Sequence, residues 1–180
     1  MNTATKPLLY LEKEHFIKSL QDIYEHSQWV AEALFIQKES LKADTTPLHD
    51  LIQNTMQHIV NAASDETKLA LLQAHPDLAG KAALAGELTH ASTNEQAGAG
   101  LDQCSEQELA EFTQLNDQYR AKFGFPFIMA VKGATKEQIL AGFRSRLPND
   151  RDTEFERALA EVHKIAGFRL NEFPDHFWQR

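Results

Sequence analysis

The chain is short of cysteine, of positive charge and of long apolar runs, and each shortage removes a class of protein. Its one cysteine in 180 residues, Cys104, has no partner for an internal disulfide and no Cys-x-x-Cys spacing for redox or metal chemistry. A reducing cytosol is the expected setting. Lysine plus arginine number 18 against 26 aspartate plus glutamate, a net charge of −8. Such a surface as a whole repels phosphate backbones and anionic lipid, so neither nucleic acid nor membrane is an expected partner. The longest apolar candidate, Gly124 to Val131, falls well short of the roughly 18 residues that cross a bilayer. Met1 to Phe16 has no basic segment followed by an apolar core, and Phe177-Trp178-Gln179-Arg180 is not a peroxisomal signal, so the protein is expected to stay where it is made. Period-two alternation, a fixed repeat, a low-complexity tract and a Pro/Gly/Ser linker are missing too. With 42% hydrophobic and 24% charged residues, near globular averages, residues 1–180 read as one all-α, multi-helix domain. At this length folding should bury roughly 70% of the extended chain's surface.

What is present is helical periodicity almost throughout. Phe16, Leu20, Ile23 and Tyr24 repeat at i, i+4, i+7 and i+8, and Val30, Ala33 and Leu34 suggest a second helix after Ser27. Thr46 as N-cap and Pro47 at the first helical position precede the stripe Leu48, Leu51, Ile52, Met56, Ile59, Val60 and Ala63. A fourth helix should open at Ser64 or Asp65 and end by Ala74, because Pro76 disfavours helical geometry at His75. Capping boxes at Ser105/Glu108, Thr135/Gln138 and Thr153/Glu156 open three more. Between them, Phe125 to Val131 reads as an extended linker, and Pro76 to Asn94 as the long non-helical stretch where chemistry is sought.

Three features of the sequence carry chemistry or a plainer role. His75 stands where a helix is forced to stop; a helix C-terminus raises an imidazole's proton affinity, which suits acid/base work, while the plainer role is to cap the last carbonyls. Ser92-Thr93-Asn94-Glu95-Gln96 fits a capping box with Ser92 as N-cap and Glu95 at the third position, and equally offers a polar ligand a dense set of donors and acceptors. Arg169 falls seven after Val162, itself seven after Phe155, so its guanidinium points along the apolar stripe, either into a pocket for an oxygen-rich ligand or out to a carbonyl. Eight histidines and two Glu-x-x-His spacings, Glu12/His15 and Glu87/His90, raise a metal site. No His-Glu-x-x-His or Cys/His cluster supports one, so no metal ligands are expected.

The segments His75-Pro-Asp-Leu-Ala-Gly-Lys81, Ser92-Thr-Asn-Glu-Gln-Ala-Gly98, Lys122-Phe-Gly-Phe-Pro-Phe-Ile128, Phe143-Arg-Ser-Arg-Leu147 with Asn149, and Ile165 to Leu170 together resemble the 2-oxo-4-hydroxy-4-carboxy-5-ureidoimidazoline (OHCU) decarboxylases of uric acid degradation. The resemblance implies an all-α fold, a homodimer, no cofactor and (S)-allantoin as product. It implies that His75 is the catalytic acid/base, with Glu95 and Arg169 beside it. Substrate contacts are implied from Pro76, from Ser92, Thr93, Asn94, Glu95 and Gln96, and from the backbone of Phe127, Ile128, Met129, Ala130 and Val131. Two other classes stay open: a non-catalytic helical interaction module, in which His75 and Glu95 only cap helices, and a metal-dependent hydrolase.

Overall fold

Two of the three expected capping boxes form as the sequence predicts, and they fix the two helices that frame the linker. In the computed structural model, which describes residues 6–180, Ser105 and Glu108 cap each other reciprocally, as do Thr135 and Gln138. The described helices are α1 Lys13–Leu20, α2 Trp29–Ile36, α3 Lys38–Ala43, α4 Leu48–Ala62, α5 Asp65–Gln73, α6 Lys81–Ala85, α7 His90–Gly98, α8 Glu106–Phe123, α9 Lys136–Arg146 and α10 Arg151–Leu170. Among the described residues there is no strand, so the fold is all-α. Among the described residues no helix is long and apolar enough to cross a membrane.

Three helix starts differ from expectation, two of them because another side chain does the capping. Pro47 has ψ 128, outside helical range, so it precedes α4 instead of starting it; Thr46 gives its N–H to Asp44 Oδ1 at 2.8 Å. Thr153 is not an N-cap: Asp150 accepts both its N–H, at 2.9 Å, and its hydroxyl, at 2.7 Å, and α10 already begins at Arg151. Ser92 is not an N-cap either, since Thr89 accepts the Ser92 N–H at 3.2 Å and opens α7 three residues sooner. The stretch from Pro76 to Asn94 is correspondingly less irregular than expected, holding α6 and the start of α7.

The chain divides into two compact units, residues 6–71 with 163–180, and 72–162. In the first, Phe16, Leu20, Val30, Leu34, Ile52, Met56 and Val60 are buried, the i, i+3/i+4 faces of α1, α2 and α4. Phe16 meets Phe35 edge-on at 5.3 Å. The Arg180 guanidinium donates to the carbonyls of Leu41, at 2.8 Å, and Thr46, at 2.7 Å, satisfying acceptors just beyond and at the end of α3. Further along the same unit, Tyr24 Oη lies 2.9 Å from His163 Nδ1, and His163 Nε2 lies 3.0 Å from Asn61 Oδ1. An amide oxygen only accepts, so Nε2 carries the proton and the tyrosine donates to Nδ1. Burial holds the His163 pKa down at about 4 and pushes that of Tyr24 up.

The second unit is built on aromatic rings. Phe112, Tyr119, Phe123, Phe125, Phe127 and Phe143 are all buried, with Tyr119 meeting the edges of Phe127 at 5.3 Å and Phe143 at 6.2 Å. Phe127 stacks on Phe143 at 3.8 Å, and Arg146 lies over the Phe127 ring at 4.4 Å, so both ring faces are covered. The linker 125–131 runs non-helical between α8 and α9, as expected, and buries Phe125, Phe127, Ile128 and Val131.

Candidate active site

His75 lies just past the end of α5, where its N–H still reaches the Leu72 carbonyl at 3.2 Å and Pro76 prevents another turn. The break falls where the sequence puts it. The side chain is more enclosed than a helix-end position suggests, at 6% exposed. The loop that follows, Asp77 to Gly80, is held from two helices. Gln96 of α7 uses both ends of its amide on it: Oε1 accepts the Ala79 N–H at 3.0 Å, and Nε2 donates to the Asp77 carbonyl at 3.2 Å. From α8, Asn116 Nδ2 donates to the Leu78 carbonyl at 2.9 Å, and one turn on Arg120 Nε pairs with Asp77 Oδ1 at 2.8 Å.

These bonds hold a strained path. Ala79 has φ +50, a left-handed conformation that costs a non-glycine residue on the order of 1 kcal/mol. Gly80 is required for space, because a Cβ there would lie 2.6 Å from the Asp77 Cβ and 3.3 Å from its carbonyl oxygen. Gln96, Asn116 and Arg120 therefore act through the backbone that carries His75.

With Thr89 as the cap, Ser92 to Gln96 form the body of α7. Ser92 and Gln96 turn inward, at 4% and 5% exposed, as i and i+4 on one face. Glu95 is half-buried, and Thr93 and Asn94 are exposed. Thr93 donates its hydroxyl to the Thr89 carbonyl at 2.9 Å, and Asn94 Nδ2 lies 3.2 Å from His90 Nδ1, so both are bonded along their own helix. Gln96 links the segment after His75 to the helix that carries Glu95; the other three sequence-identified polar residues of α7 are placed by the helix period.

On the linker, Phe127, Ile128 and Val131 are buried, and Met129 and Ala130 half-buried. Arg146 Nη1 donates to the Ile128 carbonyl at 2.6 Å, and Glu161 Oε2 accepts the Ala130 N–H at 2.9 Å. Arg146 is itself fixed by Glu154, through Nε at 2.6 Å and Nη2 at 2.5 Å. Glu154, fully buried, also accepts from the Tyr119 hydroxyl and from Asn149 Nδ2 at 2.9 Å. A buried ion pair of this kind contributes through complete hydrogen bonding. Arg146 stands in the Phe143-Arg-Ser-Arg-Leu147 segment that carries the resemblance but has no role assigned from sequence, and Glu154 and Glu161 are not singled out there; the two glutamates fall at Phe155 − 1 and Val162 − 1 on α10, the only signal they give.

Arg169 belongs to the first unit, where it is 5% exposed, as its place on the apolar stripe predicts. Its Nη1 donates to the Asp22 carbonyl at 2.8 Å and pairs with buried Glu25 at 2.7 Å. Glu25 was not anticipated either, since nothing marks it among the acidic residues of an irregular segment. Glu12/His15 and Glu87/His90 stay apart from any ligand set: among the described residues no group of three or more His, Cys, Asp or Glu side chains is placed to hold a metal ion. Cys104 is half-buried, and burial raises its pKa.

Among the described residues the chain is all-helical, with a buried histidine on a braced loop and a linker bonded by Arg146 and Glu161, and known enzymes share its fold. Residues 10–171 match the OHCU decarboxylase family. The chain is 41% identical over 162 residues to the 2-oxo-4-hydroxy-4-carboxy-5-ureidoimidazoline decarboxylase of Haloferax volcanii, covering 90% of each. It is 36% identical over 157 residues to that of Xenopus laevis, covering 87% of this chain and 86% of the relative. A crystal structure of (S)-allantoin synthase superposes with a TM-score of 0.74 at 38% identity, over 93% of this chain and 53% of that one. A crystal structure of OHCU decarboxylase in the presence of (S)-allantoin superposes at 0.64 and 23% identity, over 90% and 97%, which is a likeness of fold. The chain belongs to the OHCU decarboxylase family.

Proposed function

We propose that this chain is a carboxy-lyase of urate degradation that converts 2-oxo-4-hydroxy-4-carboxy-5-ureidoimidazoline to (S)-allantoin and CO2 without a cofactor. Family membership supports the reaction. The structural observation that carries the residue assignment is the Gln96 brace, which ties the backbone after His75 to the helix of Glu95.

The substrate carries its carboxylate on a carbon that also bears a hydroxyl and adjoins a C=N bond. When the bond to CO2 breaks, its electron pair passes into a new ring C=C bond, and the C=N pair moves to nitrogen, which takes a proton from water. Neutral His75 then removes the hydroxyl proton as the hydroxyl becomes a carbonyl, and delivers a proton to the neighbouring carbon on one face, setting its chirality. One solvent proton is consumed for each substrate anion converted to neutral product. Glu95 accepts N–H bonds from the ring or ureido group and fixes the face presented to His75. Pro76, the α7 residues Ser92 to Gln96 and the backbone of Phe127 to Val131 supply the remaining contacts. Gln96 does so chiefly by holding the loop, since its amide is already engaged. Arg169 is assigned to the reaction by the family resemblance. A cytoplasmic homodimer is the working form, each protomer acting as one domain over residues 1–180.

The test mixes protein dialysed against EDTA with freshly enzyme-oxidised urate and follows circular dichroism. Rapid appearance of optically active allantoin is expected. Product that appears only at the rate of the protein-free control, or activity restored by a divalent metal, would overturn the reading in favour of an interaction module or a metal-dependent hydrolase respectively.

A further inference from the structure

Resting on the reading that the linker backbone meets the substrate, we propose that Arg146 and Glu161 are positioning residues that polarise the two peptide units flanking Met129. The residue's own N–H and carbonyl thereby become a strengthened donor and acceptor for the N–H/C=O edge of a ureide ring. The argument is one of connectivity. The unit joining residues 128 and 129 comprises the Ile128 carbonyl and the Met129 N–H. Its oxygen accepts from the Arg146 guanidinium at 2.6 Å. A cation at the oxygen end of a conjugated amide draws electron density from the nitrogen end and makes that N–H a better donor. The next unit comprises the Met129 carbonyl and the Ala130 N–H, and the latter donates to the Glu161 carboxylate at 2.9 Å. An anion at the N–H end pushes density the other way and makes the Met129 oxygen a better acceptor.

Both charges are buried, and each keeps its bond to the linker while its remaining atoms pair with a counter-ion. Arg146 is 7% and Glu161 3% exposed, so water and salt screen them little. Arg146 is locked by Glu154 and by the Phe127 ring, and the second oxygen of Glu161 pairs with Arg157 at 2.9 Å. Among the described residues neither the N–H nor the carbonyl of Met129 has a hydrogen-bond partner, while the groups on both sides of it are taken. The two polarising groups carry opposite charge and add no net charge to the linker, so they sharpen recognition of an amide edge rather than of the substrate's carboxylate. An imidazolone or ureide edge offers one N–H and one C=O side by side, the complement of a single residue's acceptor and donor.

Glu161→Gln separates polarising from holding, because the glutamine oxygen still accepts the Ala130 N–H but carries no charge. The expected result is a KM for enzyme-generated substrate raised about fivefold or more, as a charge-assisted bond becomes a neutral one, with kcat changed less than about twofold. Arg144→Ala, which removes an exposed charge two residues from Arg146, leaves KM unchanged. In protein labelled at methionine and read by NMR without turnover, Arg146→Lys moves the Met129 amide proton upfield relative to wild type. If Glu161→Gln fails to fold, Glu161→Asp, which withdraws the carboxylate by one methylene, is read for the same rise in KM. An unchanged KM in a folded Glu161 variant, an unmoved Met129 amide, or failure of both Glu161 variants to fold would overturn the proposal. Wild-type protein that consumes no substrate would sink the function reading instead, with the NMR result still deciding the polarisation.

Discussion

Replacing Gln96 by Ala separates a residue that contacts substrate from one that holds the catalytic loop. The Ala79 N–H, which Gln96 Oε1 accepts, belongs to a residue 2% exposed, and leaving such a donor unsatisfied costs about 1–3 kcal/mol. Asp77 is half-buried, so its carbonyl recovers much of its bond from water and adds under about 1 kcal/mol. Loss of the buried glutamine stem adds on the order of 1 kcal/mol. The sum is about 2–5 kcal/mol, a fall in melting temperature of roughly 4–20 °C for a chain of this size. Because Ala79 sits at φ +50 only under restraint, the loop relaxes and displaces His75, so kcat falls about tenfold or more while KM changes less. Urea unfolding, thermal melting and initial rates at several substrate concentrations read all three quantities. A variant as stable as wild type with a raised KM would refute the reasoning and return the Gln96 amide to the substrate.

Glu95→Gln lies within α7, where glutamate and glutamine have nearly equal helix propensity; turnover should fall about tenfold or more with a melting temperature close to wild type, and unchanged turnover would remove Glu95 from the reaction. His163 makes stability fall on acidification. With its folded pKa at about 4 against an unfolded value near 6.5, the unfolded chain binds a proton that the native one refuses, so the contribution is complete above about pH 6.5 and is lost as pH drops toward 4. Melting of wild type and His163→Gln across that window should show a steeper fall in the former.

Much of the fold was legible because helix signals are local. The stripe from Leu48 to Val60, the stop forced by Pro76 and the reciprocal boxes at Ser105 and Thr135 each use residues a turn apart, and all four form. Legibility failed where two local cappers compete. Thr89 and Ser92 are three apart, and the earlier hydroxyl captures the later N–H, which turns an expected helix entrance into helix interior. Asp150 displaces Thr153 in the same way, its carboxylate accepting two donors from one residue. His75 was legible from the break it occupies. Its supports were not: Asn116 is 38 residues and Arg120 43 residues from their partners in the loop, and nothing local distinguishes a buried asparagine on α8 from an exposed one. The same holds for Arg146 and Glu161, whose partners are backbone groups 18 and 31 residues away.

His75→Asn tests the central claim, that a braced imidazole performs the proton transfer, more directly than any other change. Asparagine fits much of the same space and still donates a hydrogen bond, but it cannot shuttle a proton. The variant should fold and lose roughly 100- to 10,000-fold in rate. Substrate loss and product optical activity are followed together, because the substrate decays unaided to racemic allantoin. Substrate that disappears at the protein-free rate with optical activity near zero is the predicted result. A folded His75→Asn protein that still makes (S)-allantoin at near the wild-type rate would contradict the account and leave His75 as the end of a helix and nothing more.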